Sequence, residues 1–254
     1  MYSLNGKVAL ITGSSRGIGK AVAICLANAG ANICINHVHP QFSPKAQQVK
    51  KIIEKGDREA IIILADVSRE TEARRLVDKT VKKFGKIDIL INNAGIFPSN
   101  PGTLTDRISI KEWHKIIETN LTGVFLCSKY VIKQMIMKNI KGRIINISSV
   151  AALTGGAFIG GAYVASKSGL IGLTYCLARQ YGKFGIITNA ILPGLTKTDI
   201  LKIYNPKQIK EHLSETPLGR ITEPSEIAEA VLFLLTHSMI NGQTLVIDGG
   251  RVHP

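Results

Sequence analysis

Long apolar runs are missing from this chain. None approaches the roughly eighteen residues needed to cross a bilayer, and the N-terminus lacks the charged, apolar and small-residue regions of a signal peptide. A cytoplasmic protein with no membrane partner is expected. Cysteine is scarce: Cys25, Cys34, Cys127 and Cys176 stand far apart in apolar surroundings with no C-x-x-C spacing. Buried free thiols are therefore expected, not a disulfide framework. His37 and His39 stand two apart with no third ligand obvious in the sequence, so no metal is expected. Aromatics make up only 6% and rarely interleave with the lysines, which argues against a nucleic-acid surface even at a formal net charge of +14. The lysines are dispersed over segment after segment (Lys50, Lys51 and Lys55; Lys82, Lys83 and Lys86; Lys129, Lys133 and Lys138), as on the solvated faces of several helices. An anionic cofactor or an acidic carrier suits the sign of the charge better.

What is present is an ordinary globular composition, 45% hydrophobic and 20% charged over 254 residues, with enough chain to bury a substantial core. Short β-branched runs at 8–12, 33–36, 60–65, 87–92, 143–148, 186–192 and 244–248 alternate with helical periodicity at 20–28, 44–55, 70–84, 110–137, 162–181 and 224–235. Strands apolar throughout and separated by helices predict a seven-stranded parallel sheet with helices on both faces. No linker or repeat divides the chain, so 1–254 is expected to form a single doubly wound α/β domain of Rossmann type. The longest irregular stretches, 95–109 and 194–216, directly follow strand ends. Ligands of such sheets sit beyond the carboxyl ends of the strands, so both stretches are expected to wall a substrate cleft.

Thr12-Gly13-Ser14-Ser15-Arg16-Gly17-Ile18-Gly19 follows the first strand and opens the first helix. Glycines there permit a tight turn and close backbone approach, while the helix N-terminus offers free N–H groups to a pyrophosphate. The second strand ends Ile35-Asn36-His37-Val38-His39, without the acid that holds the adenosine ribose in an NAD site. Arg16, inside the turn, is free to meet a 2′-phosphate, so NADP is expected, with NAD possible. Polar residues recur at later strand ends, in Asp66-Val67, Asn92-Asn93-Ala94-Gly95, Ser148-Ser149 and Pro193-Gly194.

Tyr163 and Lys167 stand four apart in Ala162-Tyr163-Val164-Ala165-Ser166-Lys167, which puts a phenol and an ammonium on one helix face. A cation held there is expected to stabilise phenolate and lower the tyrosine's pKa from its usual value of about 10. Such a tyrosine exchanges a proton near neutral pH, as interconversion of a carbonyl and an alcohol beside a hydride carrier requires.

T-G-x-x-x-G-x-G, N-N-A-G, the serine and Y-x-x-x-K occur together in one order and spacing. By these motifs the chain resembles the short-chain dehydrogenase/reductase family over nearly its whole length, in the single-domain subtype. Ile117-Glu118-Thr119-Asn120-Leu121, Pro217-Leu218-Gly219-Arg220 and Asn241-Gly242-Gln243-Thr244 make it most similar there to 3-oxoacyl-acyl-carrier-protein reductases. The resemblance implies catalytic roles for four residues. Tyr163 would be the acid/base, Ser149 would hydrogen-bond the substrate carbonyl oxygen, Lys167 would bind the nicotinamide ribose and lower the tyrosine pKa, and Asn120 would hold a water linking Lys167 to solvent. It also implies cofactor contacts from Gly13, Ser15, Arg16, Gly17, Ile18 and Gly19, from His37, and from Asp66 and Val67 at the adenine. Asn93, Ala94 and Gly95 would border the adenosine end, and Pro193, Gly194 and Thr196 would position the carboxamide.

The substrate implied is a small-molecule or carrier-bound carbonyl compound, a 3-oxoacyl thioester first and a sugar or cyclic alcohol as the alternative. The assembly implied is a homotetramer. A cofactor-binding sensor without turnover has no use for the full set of Asn120, Ser149, Tyr163 and Lys167. Two departures from the reductase pattern fall where substrate would sit. The loop after Gly95 is longer and carries Pro98 and Pro101, and the 149–163 segment is one residue longer, with Gly155-Gly156 and Gly160-Gly161. Lys138, Lys141 and Lys183 are expected near the mouth of the cleft, where they would attract an acidic carrier.

Overall fold

In the computed structural model, residues 3–156 and 159–252 are described. Positions 157 and 158 of the glycine-rich segment, and the two residues at each chain end, lie outside the described residues. The strands are β1 (Val8–Ile11), β2 (Asn32–His37), β3 (Ala60–Leu64), β4 (Ile89–Asn92), β5 (Arg143–Ile147), β6 (Ile187–Pro193) and β7 (Thr244–Ile247). They form one parallel sheet in the order β3-β2-β1-β4-β5-β6-β7. The helices are α1 (Gly17–Asn28), α2 (Ser43–Glu54), α3 (Glu70–Phe84), α4 (Ile110–Ile117), α5 (Gly123–Met137), α6 (Ala151–Thr154), α7 (Gly161–Tyr181), α8 (Pro206–Ser214) and α9 (Pro224–Thr236). No described helix is long and apolar enough to cross a membrane.

The largely apolar central strands follow from cover on both faces, since side chains alternate along a strand and both sets are buried there. Ala9, Ile11, Ile33, Ile35, Ile89 and Ile91 pack into one core with Val22 and Leu26 of α1 and Val231 and Leu234 of α9. Their neighbours Leu10, Cys34, Leu90 and Ile144 enter a second core, closed by Leu76 and Val77 of α3, Val131 and Met135 of α5 and Leu177 of α7. Strand order reverses between β1 and β4, the position at which open α/β sheets leave a crevice beyond the strand ends. The glycine turn after β1 therefore opens into it.

The helix expected over 110–137 is interrupted: α4 and α5 are joined by a π-helical turn, Glu118–Thr122, that contains Asn120. The stretch 194–216, expected to be irregular, holds a 3₁₀ turn at Asp199–Ile203 and all of α8. Asn205 and Gln208 form a reciprocal capping box at the start of α8 with Pro206 at its first turn, a start signal present in the sequence. Two cysteines do not fit the expectation of burial. Cys34 and Cys127 are buried, but Cys176 is exposed on α7 and Cys25 half-buried; all four are free thiols. Lys138, Lys141 and Lys183 also depart from expectation. They follow the carboxyl ends of α5 and α7 and precede β5 and β6, at the sheet's amino edge, and Lys141 lies beside Gly185. They are thus remote from this chain's cleft, which opens at the carboxyl edge.

Candidate active site

The cleft beyond the carboxyl edge has a volume of about 1240 Å³. At one end lies the glycine turn. Gly13 and Gly17 take φ values of +64° and +54°, and a Cβ at Gly13 would come within 3.0 Å of Ala94 Cα. The turn is braced from beneath by two asparagines. Asn36 Oδ1 accepts from Gly13 N at 3.1 Å, and Asn93 Nδ2 donates to the carbonyls of Thr12 and Gly13 at 2.9 and 3.1 Å. No side chain caps the N-terminus of α1, and its first turn holds no acid, so its free N–H groups suit an anion.

Gly13, Ser15, Arg16, Gly17 and Ile18 line the cleft. Gly19 lies beneath the turn, where a Cβ would stand 2.6 Å from Gly13 O. His37 lines the cleft but is buried, its Nδ1 within 3.0 Å of His39 O. Asp66, Val67, Asn93, Ala94 and Gly95 line the next stretch. The Asp66 carboxylate accepts from the backbone and the hydroxyl of Ser68. Arg16 is not free, contrary to expectation: its guanidinium donates to Asp199 at 2.8 Å and lies 4.7 Å from the centroid of the Phe42 ring. Pro193, Gly194 and Thr196 close the opposite wall. There Gly194 N donates to Ile247 O, and Thr196 hydrogen-bonds Gly194 O at 3.0 Å.

Midway along the cleft stand Ser149, Tyr163 and Lys167. Tyr163 and Lys167 share one face of α7, and both are buried. Lys167 Nζ donates to Ile147 O at 2.9 Å and lies 5.7 Å from the centroid of the Tyr163 ring. Ser148, the neighbour of Ser149, donates to the Lys167 carbonyl at 2.8 Å and so ties β5 to α7. Burial pushes the Tyr163 phenol up and outweighs the Ser149 hydroxyl, which acts in the opposite direction. Burial also lowers Lys167, to about 8. The expected lowering of the tyrosine pKa is thus reversed, because withdrawing the ring from water disfavours the phenolate. Asn120 does not line the cleft. From the π-helical turn it clasps the Ile96 backbone twice, at 2.8 and 3.0 Å, and donates to Ser166 at 3.2 Å.

A family model described as Enoyl-(Acyl carrier protein) reductase matches residues 13–251. The chain belongs to the short-chain dehydrogenase/reductase family. It is 41% identical to a 3-oxoacyl-[acyl-carrier-protein] reductase of Synechocystis sp. over 99% of each chain. It is 40% identical to 3-oxoacyl-[acyl-carrier-protein] reductase FabG of Vibrio cholerae over 98% of each. Among solved structures, a short chain dehydrogenase from Burkholderia cenocepacia in complex with NADP superposes with a TM-score of 0.89. That chain is 34% identical, with 98% of each covered.

Against this family's motifs, several residues of the site went unread in the sequence. Phe97 stacks on Tyr163 with ring centroids 4.6 Å apart, and its apolar character gives no clue to that partner. Asn36 stands out in the sequence only as a polar residue in an apolar strand, and its side-chain contacts with Gly13, His37, Ile63 and Ala65 explain it. The 96–105 loop and the glycine-rich segment before α7 pack on each other. A Cβ at Gly160 would lie 3.6 Å from Thr103 O, and one at Gly161 would lie 3.0 Å from Thr105 Oγ1. The glycines thus let the 96–105 loop lie against the start of α7, with Ile96, Phe97 and Pro98 facing the cleft.

Proposed function

We propose that the protein is an NADPH-dependent reductase of 3-oxoacyl thioesters borne on an acyl carrier protein. One observation carries this reading: Ser149 and the buried phenol of Tyr163 stand together on the wall of a cleft that runs from the glycine turn to an apolar end lined by Ile96, Phe97 and Ile203. Near full-length similarity to enzymes of that name supports the choice of substrate. The residues present suit NADP: the uncapped start of α1 beneath a positive-φ turn takes a pyrophosphate, and Arg16 and Lys45 offer charge to a 2′-phosphate. Gly13, Ser15, Gly17 and Ile18 would hold the phosphates, Asp66 and Val67 the adenine, and Lys167, Pro193, Gly194 and Thr196 the nicotinamide end. The chemistry NADPH supplies when bound is a hydride for the carbonyl carbon.

Ser149 would donate to the carbonyl oxygen and orient it, and Tyr163 would deliver its proton to the oxygen as negative charge develops there. Burial alone makes the phenol a weaker acid, so its proton transfer depends on the Lys167 cation beneath it, which would stabilise the phenolate left behind. Asn120 would position the Ile96 backbone and α7 against one another. We further propose that 1–254 acts as one domain in the cytoplasm. A homotetramer suits the exposure of Phe125 on α5 and Tyr175 on α7.

The shift on Lys167 sets the pH dependence. Lys167 carries its charge below about 8 and loses it above, whereas the phenol stays protonated across that range. The reductive kcat should therefore be flat at lower pH and fall, by up to tenfold per pH unit, as pH rises through about 8. A pH–rate profile with saturating NADPH checks this, and a rate that rises through that window would contradict the assignment. The substrate class is tested by NADPH oxidation with carrier-bound 3-oxoacyl thioester against a small neutral ketone. Lys197, Lys202, Lys207 and Lys210 stud the exposed face of the 197–210 segment beside the cleft. Raising ionic strength from about 0.05 to 0.5 M should slow the carrier-bound reaction severalfold and leave the ketone nearly unaffected, because the Debye length shrinks about threefold. Equal salt sensitivity, or activity on a sugar or cyclic alcohol about a hundredfold higher, would remove the carrier from the proposal.

A further inference from the structure

The segment after β6 crosses the cleft and lies on the glycine turn. A Cβ at Gly17 would come within 3.3 Å of Thr198 Cγ2. The next residue, Asp199, presents its carboxylate to three cations, at 2.8 Å from Arg16, 3.8 Å from Lys45 and 3.1 Å from Lys202. Arg16 is pinned from its other side by Phe42. Arg16 lines the cleft together with His37, the last residue of β2, where an acid is lacking and the adenosine ribose of the cofactor would be held, and Lys45 reaches the same carboxylate.

Building on the NADPH reading above, we propose that Asp199 is a specificity-determining residue for the cofactor. Its carboxylate holds the place on Arg16 and Lys45 that a 2′-phosphate would take, and so competes with NADPH but not with NADH. A phosphate brings nearly two charges and three acceptor oxygens and wins the guanidinium, but only after displacing a carboxylate or enduring its repulsion. A neutral ribose hydroxyl provokes no such repulsion and can donate to the same carboxylate. The ion pair is half-exposed, with side chains 46% and 36% accessible, so its effect is modest, about fivefold in affinity. Arg16, followed by Lys202 and Lys45, holds the Asp199 carboxyl down to about 2. The competition therefore operates at every pH at which the enzyme works.

The test is a binding experiment that needs no turnover. Dissociation constants of NADPH and NADH, and of adenosine 2′,5′-bisphosphate and 5′-AMP as fragments, are measured for wild type, Asp199→Asn, Arg16→Ala and the double variant. Asp199→Asn should raise the preference for NADPH over NADH, and for the bisphosphate over 5′-AMP, about fivefold. The gain should vanish when Arg16 is already alanine, because the contested cation is gone. An unchanged or reduced preference in Asp199→Asn overturns the proposal, as does a gain that persists without Arg16, which would mean that the substitution merely loosens the segment. A wild type that binds NADH more tightly than NADPH fails the cofactor reading itself and takes the proposal with it. That outcome is visible before any variant is made.

Discussion

Replacing Tyr163 with phenylalanine is expected to lower the reductive kcat by roughly 10²–10⁴, the range assigned to general acid–base catalysis. NADPH binding should survive. The substitution removes only the hydroxyl: the ring still packs against Phe97, 4.6 Å between centroids, and stays buried in the cluster with Ile116, Ala151 and Ala162. Stability should therefore change little, and the loss should fall on kcat. Steady-state kinetics together with an NADPH titration separate the two. A variant that kept more than about a tenth of wild-type kcat with cofactor affinity unchanged would show that the proton comes from elsewhere.

Gly19→Ala should damage the cofactor end without touching any residue placed at the reacting carbonyl. The new methyl group would stand 2.6 Å from Gly13 O, a backbone atom, and 2.5 Å from Asn93 Nδ2, the donor that braces the turn. Neither can give way without moving the other, so the glycine turn must shift. Overpacking of this kind costs about 1–3 kcal/mol, which corresponds to a weakening of NADPH binding by roughly ten- to a hundredfold if the turn bears the whole cost. If the free protein bears it instead, Tm should fall by roughly 2–10 °C. A fluorescence titration and a thermal melt read the two effects. Gly85, at φ +80° with nothing within 4 Å of its would-be Cβ, is the control: alanine there should strain only its own turn and leave NADPH affinity as it was. Wild-type affinity and Tm in Gly19→Ala would show that the turn is not rigidly backed.

Alternation of apolar strands with amphipathic helices was enough to read the parallel sheet, and the glycine turn and the Tyr163/Lys167 spacing were legible because both are local. What was missed depends on distance along the chain or on burial. Arg16 meets Asp199 across 183 positions, and no local pattern carries that pairing. The direction of the Tyr163 shift turns on how far the ring is withdrawn from water, which spacing on a helix face does not report. Lys138, Lys141 and Lys183 lie at the other edge because the helices they follow run antiparallel to the strands and end at the far side. The start of α8 differs in kind: Asn205, Pro206 and Gln208 are a local signal, but the irregular composition around them masks the short helix they open.

The π-helical turn at Glu118–Thr122 has a geometric consequence. Each residue of an α-helix advances the side-chain direction by about 100°, so a turn closed from residue i to i+5 sets the helix after it out of phase with the helix before it. Trp113 and Ile116 of α4 join the cluster of Tyr163 and Phe97, while Leu126, Cys127, Val131 and Met135 of α5 enter the core beside β4 and α3. A rod of constant phase has one apolar stripe and serves one of these partners well. Two rods spliced out of phase serve both, with Asn120 at the splice. Deleting a single residue from 118–122 would therefore act less like a local loss than like turning a key, swinging one stripe or the other away from its lock along its whole length.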